Sequence, residues 1–379
     1  MKLVLVNYEY PPLGGGAGNA TAHIARALAR QGHDVRVITS AFGDLRGEVE
    51  EATNVRVIRL KVRRSRTDRS NYVEKLSYIL VAARVLPRLL RIEPADGLIV
   101  FFSMPCGPLG WLADRRCDTP YVISLRGGDV PGSNTSVNFL HKVLAPVRRV
   151  VLRNARAVVA NSPGLGRLSE QADLVPVGVI PNGVDANYFI STPRVKNVDT
   201  VVRYLFAGRF QAPKNLFALL DCFAAAAHQA RMPLELTLVG DGPQRLELQS
   251  KACALGVADR ITWRGWLNKF ELRKAYGQAD VFLNPSLSEG MPNTVLEAMA
   301  CGLPVIASRI MGNADLVVEG VTGMLFDLAR PADLVSAIMA LADDPSQRAS
   351  MGARARAMVC EQYTWDAAAA QYAAFFSRT

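Results

Sequence analysis

Short apolar runs, each followed by a turn and then a helix-like stretch, recur along nearly the whole chain, and this alternation restricts the fold more than any other feature. Strands of that kind are buried on both faces beneath helices, the arrangement of parallel α/β sheets. Lys2-Leu-Val-Leu-Val-Asn7 reads as the first strand, Pro11 to Gly18 as a Gly/Pro loop, and Asn19 to Gln31 as an amphipathic helix stopped by Gly32. Asp34 to Thr39 returns as the next strand. A second series starts near Val201 with Val-Arg-Tyr-Leu-Phe206 and continues through Leu234–Val239, Ile261–Trp263, Val281–Leu283 and Pro304–Ala307. Between the series, Tyr188 to Thr200 mixes Ser, Thr, Pro and charge without a period. At 379 residues, half of them apolar, the chain can fill two cores. The expected fold is therefore α/β, with two Rossmann-like domains at 1–190 and 201–360, a linker at 191–200, and a C-terminal helix within 361–379.

Composition narrows the setting. The six cysteines show no closely spaced pairs, and a chain with a large core does not need disulfides, so a reduced, cytoplasmic protein is expected. Met1 leads directly into a strand, without the basic start and apolar segment of a signal peptide. The most apolar stretch, from Leu76, is interrupted by Arg84, Pro87 and Arg88, short of the ~20 residues that a membrane span requires. Charge is uneven: residues 1–195 hold 26 Lys and Arg against 16 Asp and Glu, whereas the rest of the chain is balanced. Much of the excess lies in Arg56, Arg59, Lys61, Arg63, Arg64, Arg66 and Arg69, followed by the mixed stretch from Tyr72 to Arg91. Such a surface suits anionic headgroups or a phosphate-bearing acceptor. The expected location is the cytoplasm, with peripheral attachment to the inner face of the plasma membrane; no nucleic-acid partner is expected.

Candidate chemistry concentrates in Glu289-Gly-Met-Pro-Asn-Thr-Val-Leu-Glu297, read as the turn and helix that follow a buried strand. Pro292 suits a first helical position, because that position has no intrahelical N–H bond to lose. Backbone N–H groups of Asn293 and Thr294 then face an anion, with one carboxylate before them and one about a turn later. Acid, anion site, acid is an order that fits a nucleotide sugar. Glu289 would accept from sugar hydroxyls, the helix start would hold the diphosphate, and Glu297 would take the ribose hydroxyls.

The spacing of the two Glu residues, together with Gly290 and the following Ala-Met-Ala-Cys-Gly-Leu-Pro-Val-Ile, closely resembles the retaining family-4 glycosyltransferases. Leu205-Phe-Ala-Gly-Arg209-Phe-Gln-Ala-Pro-Lys214-Asn, Val239-Gly-Asp-Gly-Pro243 and Ile180-Pro-Asn-Gly-Val-Asp185 are similar to the same family. The resemblance implies the GT-B architecture, two Rossmann-like domains facing each other across a cleft, with the nucleotide sugar on the second and the acceptor on the first. It implies that Arg209 and Lys214 bind the donor diphosphate, and that Gly290, Met291, Pro292, Asn293, Thr294 and Glu297 line the donor site with Glu289. The backbone at Gly15 and Gly16 would approach the donor phosphate, and the helix around Trp365 to Phe376 would cross back onto the first domain. The activity implied is a hexosyltransferase-like, retaining transfer from a UDP- or GDP-sugar to a glycan or lipid-linked acceptor in polysaccharide biosynthesis.

No Asp-X-Asp pair is present and none of the four His stands near another, so no metal is expected, and no cofactor beyond the nucleotide-sugar substrate. The loop Gly14-Gly-Gly-Ala-Gly18 departs from a dinucleotide fingerprint, since its third Gly falls on Asn19 and no acidic residue ends the second strand. One departure from the family lies in Leu125-Arg126-Gly-Gly-Asp129, where many members carry a His. Arg126 stays protonated and cannot act as a base, but it can bind a phosphate of donor or acceptor. Asp129 is a candidate to accept the acceptor hydroxyl's hydrogen bond, and equally reads as a structural residue in a turn. Rival readings are a nucleotide-sugar epimerase or a phosphorylase on the same fold, and a non-catalytic sugar-binding protein.

Overall fold

The structure, a computed structural model, describes residues 1–67, 70–133, 138–190 and 201–377. It contains two parallel sheets, each with its own core, in two compact units. The first unit comprises residues 1–183 together with the segment from Trp365, and the second comprises the described residues from Val184 to Thr364. The division thus falls ahead of the expected end of the first domain at residue 190, and the linker expected at 191–200 lies outside the described residues.

Strands of the first unit are β1 (Lys2–Val6), β2 (Asp34–Ser40), β3 (Gly47–Ala52), β4 (Val55–Leu60), β5 (Gly97–Phe101), β6 (Tyr121–Leu125), β7 (Ala157–Ala160) and β8 (Gly178–Val179). They lie in the order β3-β4-β2-β1-β5-β6-β7-β8, parallel except for the edge strand β3, which runs antiparallel to β4. Both β5 and β6 are buried along their whole length, which is why they read as unbroken apolar runs. Helices α1 (Gly16–Arg30), α2 (Tyr72–Ile92), α3 (Gly107–Cys117), α4 (Asn138–Asn154) and α5 (Pro163–Asp173) connect them. Helix α1 starts at Gly16, ahead of the expected Asn19, with Gly15 at its N-cap. Glycine makes that start feasible: Gly14 has φ 86°, and a Cβ there would stand 2.5 Å from the Glu9 carboxylate.

In the second unit, β9 (Val202–Ala207), β10 (Leu234–Val239), β11 (Ile261–Arg264), β12 (Val281–Asn284), β13 (Val305–Ser308) and β14 (Gly323–Phe326) form an all-parallel sheet in the order β11-β10-β9-β12-β13-β14. Helices α6 (Leu216–Gln229), α7 (Arg245–Ala254), α8 (Lys269–Gln278), α9 (Asn293–Ala300), α10 (Pro331–Asp343) and α11 (Pro345–Gln362) cover it. The last helix, α12 (Trp365–Ala374), belongs to the first unit. Its Trp365, Ala368, Ala369, Tyr372 and Ala373, with Phe376 beyond it, enter the first core. Trp365 stacks on His23 at 5.0 Å, and Tyr372 Oη and Ser124 Oγ are 2.7 Å apart. Gly97 leaves room for the Phe376 ring, which a Cβ there would meet at 2.0 Å.

Candidate active site

Strand order in the second sheet reverses between β9 and β12, neighbours although β10 and β11 follow β9 in the chain. Such a switch point opens a crevice beyond the carboxyl ends of the strands, the usual ligand position in open α/β sheets. Arg209 lies just past β9, Lys214 ends the 3₁₀ turn Ala212–Lys214, and Glu289 lies in the loop after β12. The two loops are tied by Leu287 N–H donating to the Pro213 carbonyl at 2.8 Å. Lys214 Nζ then meets Glu289 Oε1 at 2.5 Å, and Ser286 Oγ donates to the same oxygen at 2.7 Å. Ammonium and carboxylate keep 21% and 13% of their side-chain surface exposed, so both are shielded yet reachable.

Buried polar groups support this loop from behind. Ser308 Oγ donates to the Ser286 carbonyl at 2.5 Å, Asn313 Nδ2 to the Ser308 carbonyl at 3.1 Å, and Asn284 Nδ2 to Asn313 Oδ1 at 2.9 Å. Gly312, with φ 85°, closes over them, and a Cβ there would come 2.7 Å from the Glu289 carbonyl. Two more glycines hold the Arg209 loop. A Cβ on Gly240 would stand 1.9 Å from the Gly208 carbonyl oxygen, and one on Gly242 2.3 Å from that of Phe210. The Val239-Gly-Asp-Gly-Pro243 segment therefore packs backbone against backbone on the loop that carries Arg209.

Helix α9 begins at Asn293, one residue later than expected, with Pro292 at the N-cap in an extended conformation, ψ 107°. Asn293 and Thr294 lie in its first turn as anticipated, ahead of the N–H groups of Val295 and Leu296, which bond back to the Pro292 carbonyl. Met291 is buried in the core behind them. Glu297, further along α9, accepts a 2.9 Å hydrogen bond from Tyr276 Oη of α8. Burial pushes its carboxyl up to about 7, opposed by the Tyr276 hydrogen bond and the nearby Lys269 charge. Sequence reasoning missed Tyr276, Lys269 and Ser286. Ser286 could have been noticed from its place in the Glu289 turn, whereas Tyr276 carries only the signal of a core aromatic on a helix.

In the first unit, Gly15 and Gly16 stand at the start of α1, with Gly15 at the N-cap. Burial raises the Glu9 carboxyl above its ordinary range, opposed chiefly by Arg64. Arg126 is a cross-link: its guanidinium donates to Asn182 Oδ1 at 2.7 Å and to Tyr372 Oη at 3.3 Å, and lies 4.7 Å from the Phe101 ring centroid. Desolvation lowers its pKa. Asp129, expected either to accept from the acceptor hydroxyl or to hold a turn, has partners within the fold. It is 2% exposed, and its two oxygens accept from the backbone N–H groups of Ser103 at 2.6 Å and Arg126 at 2.9 Å. It clamps two loops together, the structural alternative for that turn.

The basic run is also less open than expected. Arg56 pairs with Glu93 at 2.9 Å and with Asp34 and Glu48, Arg59 donates to the Pro11 carbonyl, and Arg64 to the carbonyls of Tyr8, Arg66 and Thr67. Arg69 lies outside the described residues. Among the described residues no group of three or more His, Cys, Asp or Glu is placed to hold a metal ion, and no helix is long and apolar enough to cross a membrane. None of the six cysteines forms a disulfide.

Two largely parallel sheets, each with a switch point, define a protein of the GT-B class, and at the second switch point a lysine meets a carboxylate. Residues 15–183 match the glycosyl transferase 4-like domain and residues 202–344 the glycosyl transferases group 1. The chain belongs to the family-4 glycosyltransferases. The D-inositol 3-phosphate glycosyltransferase of Arthrobacter sp. (strain FB24) is 34% identical over 58% of this chain, a match that spans 55% of that relative's length. The protein of that name from Xylanimonas cellulosilytica is 28% identical over 94% of this chain and 90% of its own. Among solved structures, sucrose-phosphate synthase from Thermosynechococcus elongatus superposes with a TM-score of 0.83 at 23% identity, covering 99% of this chain and 98% of that one. Anabaena HepE in complex with UDP-glucose gives a TM-score of 0.76 at 21% identity, with 99% and 98% covered.

Proposed function

We propose that the second unit binds a UDP- or GDP-sugar, and that the chain transfers its sugar, with retention and without a divalent metal, to a hydroxyl of a glycan or lipid-linked acceptor in cell-surface glycan synthesis. The observation that carries this reading is the meeting of Lys214 with Glu289 at the β9/β12 switch point, between the Arg209 loop and the α9 start. Lys214 and Arg209 supply positive charge where the departing diphosphate gains negative charge, the role that a metal plays elsewhere. Asn293 and Thr294 offer N–H groups to phosphate oxygens. Glu297 accepts from ribose hydroxyls, and Glu289 from sugar hydroxyls while holding the Lys214 ammonium. The departing diphosphate takes the acceptor's proton as the hydroxyl attacks the sugar face it leaves. No cofactor enters, since the nucleotide sugar is a substrate. The UDP-glucose held by the Anabaena neighbour favours a UDP-sugar, and the first unit then serves the acceptor from the cytoplasmic side of the membrane.

The test is turnover of UDP- and GDP-sugars in EDTA, with and without a panel of glycan and lipid-linked acceptors, with the product anomer read by NMR. Acceptor-dependent transfer with the donor's anomeric configuration is expected. An epimerised donor without acceptor would make the chain an epimerase. Nucleotide binding without turnover would make it a sugar-binding protein, and an absolute need for a divalent ion would remove the metal-free mechanism.

A further inference from the structure

One hydroxyl behind Glu289 has more acceptors than protons. Ser286 Oγ is 2.7 Å from Glu289 Oε1 and 2.7 Å from Asn284 Oδ1, and a serine carries a single O–H. Turning the Asn284 amide does not remove the second contact. Asn313 Nδ2 lies 3.1 Å from the Ser308 carbonyl and 3.4 Å from that of Asn284, and carbonyls only accept, so the nitrogen must face them. Asn313 Oδ1 then faces Asn284, which presents Nδ2 to it at 2.9 Å and is left with Oδ1 toward Ser286. Glu289 Oε1 is an acceptor as well, since Lys214 Nζ donates to it. Ser286, Asn284, Ser308 and Asn313 are at most 3% exposed, too buried for bulk water to supply the missing proton. The hydroxyl can therefore serve Glu289 or Asn284, and not both. Rotation about its Cβ–Oγ bond is enough to change partner, with no movement of the chain.

We propose that Ser286 is a positioning residue for Glu289, a hydroxyl that stands in for a sugar hydroxyl on the carboxylate and turns to Asn284 when the donor's sugar arrives. In the resting site Ser286 and Lys214 together hold the Glu289 oxygen. When a sugar hydroxyl displaces Ser286 from the carboxylate, a buried serine with no other acceptor would be left with an unsatisfied donor, which is costly. Asn284, the last residue of β12, removes that cost by offering Oδ1 as the second seat, while Lys214 stays on the carboxylate. Asn313 and Ser308 keep the second seat facing the right way. The inference rests on the reading of Glu289 as the acceptor of sugar hydroxyls, and it assigns to Ser286 and Asn284 the exchange that this reading requires.

The experiment is calorimetric titration of UDP-glucose and of UDP on the full chain, on Asn284→Ala, on Ser286→Ala and on the double variant. The readout is the ratio of the two dissociation constants, which separates the sugar from the nucleotide. Asn284→Ala removes the second acceptor, so the ratio should move about tenfold against UDP-glucose. Ser286→Ala removes the hydroxyl that would be stranded, so alone it should not move the ratio that way, and combined with Asn284→Ala it should return the ratio to the parent's. Rescue of one buried polar deletion by another is not expected of residues that only brace the loop. Affinity for UDP alone should stay near the parent's throughout. A double variant as weak toward UDP-glucose as Asn284→Ala, or an Asn284→Ala ratio equal to the parent's, would overturn the proposal. Should Asn284→Ala fail to fold, Ser286→Ala decides alone: a ratio moved about tenfold against UDP-glucose would make Ser286 a permanent brace and overturn it. A parent that binds neither UDP nor UDP-glucose would instead remove the donor reading, and this inference with it.

Discussion

Glu297 is held where its charge is costly, and the proposed grip on the ribose hydroxyls needs that charge. Its carboxyl is raised from the ordinary carboxylate range to about 7, mainly by burial, so the folded state binds its proton more tightly than the unfolded state does. The sign follows: burying the charged form destabilises the fold fully above about pH 7, and this penalty is relieved as pH falls through about 7 toward the ordinary carboxylate range. Glu297→Gln should therefore raise the melting temperature at about pH 8 and change it little at about pH 5. The same substitution should weaken nucleotide binding by about 1–3 kcal/mol, because buried ribose hydroxyls lose a charged acceptor. In the parent protein nucleotide affinity should fall as pH drops through 7, and the Gln variant should lose that dependence. Thermal melts and nucleotide titrations across this range check both arms; parental affinity in the Gln variant would remove Glu297 from the site. The two Glu residues were legible because a carboxylate at a Gly/Pro turn and another on the next helix form a local pattern. Tyr276, which orients Glu297, was not, since a buried tyrosine on a helix looks the same whether it fills space or donates a hydrogen bond.

At the scale of elements, the loops at the β9/β12 switch point owe their shape to glycines rather than to charged side chains. Gly240 has φ 126° and touches the Gly208 carbonyl, so a side chain there meets both backbone strain and a backbone clash. Gly240→Ala should cost at least about 2 kcal/mol in denaturant unfolding and should also weaken nucleotide binding by moving the Arg209 loop. Gly265→Ala, where a Cβ meets nothing within 4 Å and φ is not in the left-handed region, is the control and should be near neutral in both measurements. Equal behaviour of the two variants would mean that the Gly240 contact does not hold the loop. The sequence marked Val239–Pro243 only by its resemblance, because an approach of backbone to backbone leaves no side-chain trace. Strands were read more easily. Leu234–Val239 coincides with β10, and β1, β2, β9, β11, β12 and β13 agree to within a residue or two, because buried parallel strands are continuous apolar runs. The exposed edge strand β3, Gly-Glu-Val-Glu-Glu-Ala, has no such run and was not anticipated.

For the molecule as a whole, the candidate residues of the two units were unequally readable. In the second unit, Lys214 and Glu289 are 75 residues apart in sequence, so no spacing argument could have paired them; sheet order brings them together. In the first, Asp129 and Arg126 look like chemistry in sequence, and their ties to Ser103, Asn182 and Tyr372 could not be read there, because burial and backbone partners are invisible in a string of residues. The place of α12 in the first unit was implied by family resemblance alone, since its Trp365 and Tyr372 find partners on α1 and β6, more than two hundred residues away. The central claim is that a nucleoside diphosphate binds the second unit through Lys214 and Arg209 without a metal. Calorimetric titration of UDP and GDP in EDTA tests it most directly, on the parent and on Lys214→Ala and Arg209→Ala. Binding by the parent is predicted, weakened about tenfold or more in each variant, as expected for the loss of a cation from a diphosphate. Binding that needs a divalent ion, or equal affinity in all three proteins, would contradict it.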